Sequence, residues 1–255
     1  MGEPPGSTPE SGGAPKAAPP KKSRSRQTVE FLGLLLAALA IRSFIAEPYE
    51  IPTGSMLPTV QIGDRVVISK LAYGARLPFT LSDQLRWGRP HRGDIVVLLN
   101  PTPGEPDLAK RVVALPGDTV EVREGKLILD GQEVHETPLP GVCEDEDRDE
   151  RSGRWFPVRC TAFDETLDGT RFEIHHVPGA EPPDFGPLRI PPDHVFLMGD
   201  NRDRSLDSRY FGPVPTGKLK GKAFFLLWSS GPHGIRWDRL LRPIRPPPQD
   251  LTASR

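Results

Sequence analysis

The stretch that decides the fold is "KRVVALPGDTVEVREGKLILD", residues 110–130. It holds three short runs rich in β-branched residues, Arg111 to Leu115, Asp118 to Val122 and Lys126 to Asp130, separated by Pro-Gly and Glu-Gly turns. Strand side chains alternate between two faces, and Val, Ile and Leu fill a pleated, half-buried surface, so each run reads as a strand. Working outward, the same texture recurs at 65–70 "RVVISK", 94–99 "DIVVLL", 194–198 "HVFLM" and 220–228 "KGKAFFLLW". The chain therefore reads as mostly β, with one domain assembled from residues 47–130 and 190–241.

Residues 131–189 interrupt this pattern with weak periodicity, several prolines and both cysteines; "RFEIHHV" at 171–177 is their best strand. They read as an inserted subdomain or long loop. The acidic run 144–150 "EDEDRDE" reads as solvated, flexible chain. Residues 1–27, rich in Gly, Pro, Ser and Ala, read as a disordered tail, and 242–255, with "RPIRPPPQD", as a second tail.

A formal net charge of −1 excludes a bulk phosphate-binding surface, so no nucleic-acid partner is expected. The basic segment "KKSRSR" at 21–26 precedes the apolar run "VEFLGLLLAALAIRSFIA" at 29–46. As a helix that run spans roughly 27 Å, close to the thickness of a bilayer core. Residues 28–46 are thus expected to be a transmembrane helix, with 1–27 cytoplasmic by the positive-inside rule and the rest beyond the membrane. Ala38-Leu39-Ala40 also fits a cleaved signal, but that cut would fall inside the apolar run. In the aromatic run 223–228, core packing is expected for most side chains, with Trp228 or Trp237 at the lipid interface.

Cys143 and Cys160, the two cysteines, fall in the exported part, where an oxidising compartment favours a disulfide between them. Two distant cysteines are too few metal ligands, and the adjacent His175 and His176 would face opposite sides of a strand, so no metal site is expected.

The remaining chemistry centres on "IPTGSMLPT", residues 51–59. Its serine sits in a turn bounded by prolines, and a serine hydroxyl needs a nearby base to become a nucleophile. Lys110 is a candidate: among Leu108, Ala109, Val112 and Val113 its stem can be buried, and burial favours the neutral amine.

Together with "KRVVALPGD" at 110–118 and "MGDNRDRSLDSRYFGPV" at 198–214, this stretch resembles the bacterial type I signal peptidase family, membrane-bound Ser-Lys endopeptidases. The resemblance covers 29–130 and 190–238, including "IGDRVVISKLAYG" at 62–74 and "RGDIVVL" at 92–98. It implies an antiparallel β-sheet catalytic domain and assigns Ser55 as nucleophile and Lys110 as general base. Thr53, where the bacterial family more often has serine, falls at an oxyanion donor beside the Ser55 N–H. Ser205 falls at the hydroxyl that orients the amine, and Asp207 and Arg209 at a supporting ion pair. Ile51, Pro52, Met56, Val60, Val66 and Ala109 fall at the substrate pockets, whereas Asp200, Asn201, Arg202 and Asp203 are expected to shape their loop.

The resemblance further implies preprotein substrates with signal peptides cut after small residues, no cofactor, a monomer, and single-pass residence in the bacterial inner membrane. Two alternatives stay open: a specialised Ser-Lys processing protease of the same clan, and a catalytically inactive membrane-tethered binding module.

Overall fold

The computed structural model describes residues 2, 28–34, 46–76, 84–85, 87–149 and 152–244. Residues 28–34 are helical, and among the described residues no helix is long and apolar enough to cross a membrane. The stretch 35–45, the tail 3–27 and residues 245–255 lie outside the described residues. One bound is corrected: Ala46, expected to end the helix, opens the strand Ala46–Glu50 and pairs with Ser69.

The β body is built on a nine-stranded sheet whose main path runs Ala46–Glu50, Asp64–Ser69, Leu219–Gly231, Ile95–Leu98, Leu108–Ala114, His194–Met198 and Val214–Pro215. Neighbours along this path are antiparallel. The 13-residue Leu219–Gly231 strand pairs first with Ile95–Leu98 and then with Asp64–Ser69, shifting register between Ala223 and Phe225 and again between Leu226 and Trp228. Such bulges bend a strand, and here they curl the sheet. Gly234–Ile235 and Arg242–Pro243 also pair with it, so the tail expected from 242 begins as a strand, and Ile244 packs on the core.

"IVVL" at 95–98 is buried on both faces. Val96 and Leu98 enter one apolar cluster with Val112, Val195 and Leu197, while Ile95 and Val97 enter another with Ile51, Met56, Val60 and Val66. A central strand between two cores needs an unbroken apolar run, which the sequence supplies.

A four-stranded sheet of Thr119–Arg123, Lys126–Leu129, Gln132–Glu133 and Phe185–Arg189 shares a third core cluster with the inserted region through Phe172 and Ile174. The ends of the inserted region, Gln132–Glu133 and Phe185–Arg189, thus join that sheet, and its middle forms a second four-stranded sheet of Glu136–Pro138, Cys143–Arg148, Trp155–Leu167 and Thr170–His176. The acidic run is therefore not flexible chain: it forms the strand Cys143–Arg148, with Asp145 and Asp147 buried and Glu144 and Glu146 exposed. Alternation is present, but it runs between two acidic residue types and so is invisible to a hydropathy reading. Asp145 points in because it meets His175, Asp147 because it meets Arg204. Cys143 and Cys160 are register partners, 4.9 Å apart at Cα, and are bonded to each other.

Candidate active site

The turn carrying Ser55 follows directly on the Ala46–Glu50 strand. Ile51 N–H donates to the Asp64 carbonyl (2.9 Å) and Gly63 N–H to the Ile51 carbonyl (3.0 Å), which ties the entry of the turn to the next strand. A single 3-10 turn, Gly54–Met56, then buries all three of its residues. Glycine at 54 is required by space rather than by dihedral angle: a Cβ there would lie 2.9 Å from both Asp147 Oδ1 and Leu57 Cδ1. The inserted sheet thus reaches over the turn through Asp147.

Across from it, the Leu108–Ala114 strand presents Lys110, 1% exposed, whose Nζ donates to Ser55 Oγ at 2.5 Å. Burial pulls the Lys110 amine down to about 8, against the upward pull of the Asp207 and Asp200 carboxylates and with a further push down from Arg209. No carboxylate among the described residues forms an ion pair with it, so the amine faces a hydroxyl. That is the arrangement in which a lysine loses its proton near neutral pH and a serine gains a base. Thr53 Oγ1 stands 3.4 Å from Ser55 Oγ.

The loop 199–209 supports this pair from behind. Arg209 grips Asp207 through two hydrogen bonds of 2.8 Å, and Gly199 N–H donates to the same carboxylate at 3.0 Å. Burial pushes Asp207 upward, but Arg209 and the Gly199 N–H outweigh it and hold the carboxyl below its ordinary range. Ser205 is buried in this loop, and its hydroxyl is not hydrogen-bonded to the Lys110 amine. Two contacts were not foreseen from the sequence. Arg111 forms a fork with Asp200 at 2.7 and 2.6 Å, joined by the Thr59 hydroxyl at 2.5 Å. Asn201 reaches the Ser55 turn at two points, its N–H meeting the Ser55 carbonyl (3.2 Å) and its Nδ2 the Gly54 carbonyl (3.1 Å). Neither has a sequence signal beyond its place in the 198–214 motif, because the partners are 89 and 147 residues away.

A cleft opens at the nucleophile, lined by Ile51, Pro52, Thr53, Ser55, Met56, Leu108 and Ala109. Four of the six pocket residues named from the sequence therefore lie on it; Val60 and Val66 sit beneath, in the core cluster with Ile51 and Met56. In the aromatic run, Ala223 and Leu226 are buried, Phe225 is half-buried, and Phe224, Leu227 and Trp228 are exposed, as is Trp237. More of this run faces outward than a core strand requires.

From the sequence no metal site is expected; among the described residues one grouping, Cys143, Cys160 and His175, has its ligand atoms within 4.8 Å of one another. The two sulfurs are bonded to each other, and the His175 nitrogens face Asp145 and Glu173 at 2.8 and 2.9 Å.

Comparison with known proteins places the chain in a family. The chain is 35% identical over 214 residues to signal peptidase I of Pseudomonas fluorescens, covering 80% of this chain and 72% of the relative. It is 38% identical over 221 residues to signal peptidase I of Pseudomonas aeruginosa, covering 79% and 71%. With signal peptidase I of Aquifex aeolicus the identity is 31% over 239 residues, covering 80% and 84%. The family model described as "Signal peptidase, peptidase S26" matches residues 25–228, a span that includes the Ser55 turn, the Lys110 strand and the 199–209 loop. The chain belongs to the signal peptidase family, peptidase S26.

Proposed function

We propose that this serine endopeptidase removes signal peptides from exported preproteins through a Ser55–Lys110 dyad. The observation that carries the reading is the buried 2.5 Å contact between Lys110 Nζ and Ser55 Oγ. Neutral Lys110 takes the Ser55 proton as Oγ attacks the scissile carbonyl carbon, and the carbonyl oxygen becomes an oxyanion held by the Ser55 N–H and the Thr53 hydroxyl. The intermediate collapses, the C–N bond breaks, and the ammonium of Lys110 returns its proton to the leaving amine. The acyl group stays on Ser55 until Lys110 deprotonates a water that attacks the ester and frees both serine and signal peptide. These steps call on no cofactor.

Asp207 and Arg209 form the floor behind the amine, with Ser205 buried in the same loop. Ile51, Pro52, Met56 and Ala109 form shallow apolar walls suited to small side chains, with Val60 and Val66 setting their depth from below. The 28–46 segment anchors the chain in the bacterial inner membrane as a single span. The β domain (47–130 and 190–241) and the inserted 131–189 sheet lie outside the cytoplasm, and the exposed Trp228 and Trp237 rest on lipid. The enzyme acts as a monomer.

The test is cleavage of a preprotein in detergent-lipid micelles by wild type, Ser55→Ala and Lys110→Ala, with the product's new N-terminus determined. Cutting after an Ala-x-Ala site by wild type alone supports the reading. Cleavage that survives either substitution overturns it.

A further inference from the structure

Asn201 is drawn toward the nucleophile's turn by two hydrogen bonds with different consequences. Its backbone N–H meets the Ser55 carbonyl, which any residue except proline would do. Its side-chain Nδ2 meets the Gly54 carbonyl, which requires an amide at that distance. The direction of this bond is fixed, because a flipped amide would set oxygen against oxygen. Asn201 is 1% exposed, and its Oδ1 is buried with no hydrogen-bond partner among the described residues. The residue thus gives up an acceptor's hydrogen bond to keep its donor on Gly54, at a cost characteristic of an unsatisfied buried group.

The Gly54 carbonyl and the Ser55 N–H belong to one peptide unit. A trans peptide is planar and its C=O and N–H point in opposite directions, so holding the carbonyl between Asn201 Nδ2 and the Leu57 N–H of the turn (3.1 Å) aims the Ser55 N–H the other way. The loop is pressed close enough to do this because residue 199 is glycine: a Cβ there would lie 2.3 Å from the Ser55 carbonyl oxygen. The loop is also anchored on its far side, where His175 N–H donates to the Asp200 carbonyl (2.9 Å) and Arg202 N–H to the His175 carbonyl (2.9 Å).

We infer that Asn201 is a positioning residue for catalysis, whose side-chain amide sets the direction of the Ser55 N–H that receives the oxyanion. This rests on the dyad reading above. It predicts a transition-state effect separable from the dyad, because Lys110 and Ser55 Oγ are not touched by the amide.

The experiment compares Asn201→Ala and the isosteric Asn201→Asp with wild type and Ser55→Ala on one preprotein. Both Asn201 variants are expected to lose about tenfold to a hundredfold in kcat, less than deleting an oxyanion donor outright, with KM within about twofold. A peptide aldehyde, which binds as a hemiacetal oxyanion on serine, is expected to lose affinity by the same factor as kcat. In the uncharged Asn201→Ala the apparent pKa of the kcat/KM profile stays at the wild-type value. A kcat within twofold of wild type overturns the inference, and so does unchanged aldehyde affinity, a shifted pH profile in Asn201→Ala, or a loss that merely follows a collapsed unfolding transition. If Ser55→Ala is inert while the Asn201 variants are normal, only this inference falls. If Ser55→Ala remains active, the dyad reading falls with it.

Discussion

The catalytic sheet and the inserted sheet bury charge in opposite ways. Around the inserted sheet, Arg202 of the 199–209 loop and the strand residues His175 and His176 each meet a carboxylate. Arg202 and Glu165, both with fully buried side chains, are 2.7 Å apart, and His175 lies 2.8 Å from Asp145. His176 lies 3.4 Å from Asp203 with Glu136 at 3.9 Å. In the catalytic sheet Lys110 is as deeply buried but meets a hydroxyl, while its neighbour Arg111, on the same strand, is locked to Asp200. Pairing with carboxylates holds Arg202 and His176 in the charged form, whereas burial without a pair pushes Lys110 toward the neutral one. On the proposed mechanism, one kind of burial makes structure and the other makes a base.

The sharpest way to break this contrast is to truncate one cation of each kind. Lys110→Ala is expected to cost about a thousandfold or more in kcat while the fold persists, since removing one member of a catalytic unit abolishes most of its effect. Arg202→Ala is expected to do the reverse on stability, costing about 3–5 kcal/mol because Glu165 is left buried and unpaired. Denaturant unfolding of both variants beside a cleavage assay checks this. A Lys110→Ala protein less stable than Arg202→Ala would erase the distinction.

Next in size is the oxyanion donor. Thr53→Val keeps the shape of the side chain and removes its hydroxyl, and is expected to lower kcat by about a hundredfold with KM little changed. A loss confined to KM would move Thr53 from the oxyanion to substrate binding.

The smallest effects concern stability against pH, where the two regions have opposite signs. His176 is pulled down by burial, but the carboxylates of Asp203 and Glu136 outweigh this and hold it at about 8, above its ordinary 6.5. Its contribution is fully present below pH 6.5 and lost as pH rises through 8. Lys110 falls from 10.5 to about 8, so between those values the unfolded chain binds the extra proton and stability rises with pH. Lys110→Met is therefore expected to be inert yet more stable than wild type below pH 8, the difference shrinking toward pH 10.5; His176→Gln removes the opposite slope. Thermal melts across pH 6 to 10.5 read both.

The same contrast explains what was legible in the sequence. Strands of the catalytic sheet bury apolar side chains, so His194–Met198 and the runs at 65–70 and 94–99 announce themselves by β-branched content. Ser55 and Lys110 were found through the motifs around them, and the structure brings them within hydrogen-bonding distance across 55 residues of sequence. In the inserted sheet the strand at 171–177 was legible through Phe172 and Ile174, but Cys143–Arg148 was not, because its inward positions are charged. Asp145, Asp147 and Glu165 satisfy partners distant in sequence rather than an apolar core, and hydropathy cannot tell a paired carboxylate from a solvated one. Asn201 lay within a motif already singled out, but its role depends on a carbonyl direction that only the fold supplies.

In the proposed mechanism, burial without a carboxylate pair makes Lys110 a base near neutral pH. The most direct measurement is the titration of its side-chain amine by NMR, with lysines isotopically labelled and Lys110 assigned by comparison with Lys110→Met. A midpoint near 8, accompanied by a kcat/KM that rises through the same pH, is the predicted result. A midpoint near the ordinary 10.5 would leave Ser55 without a base at physiological pH and contradict the account.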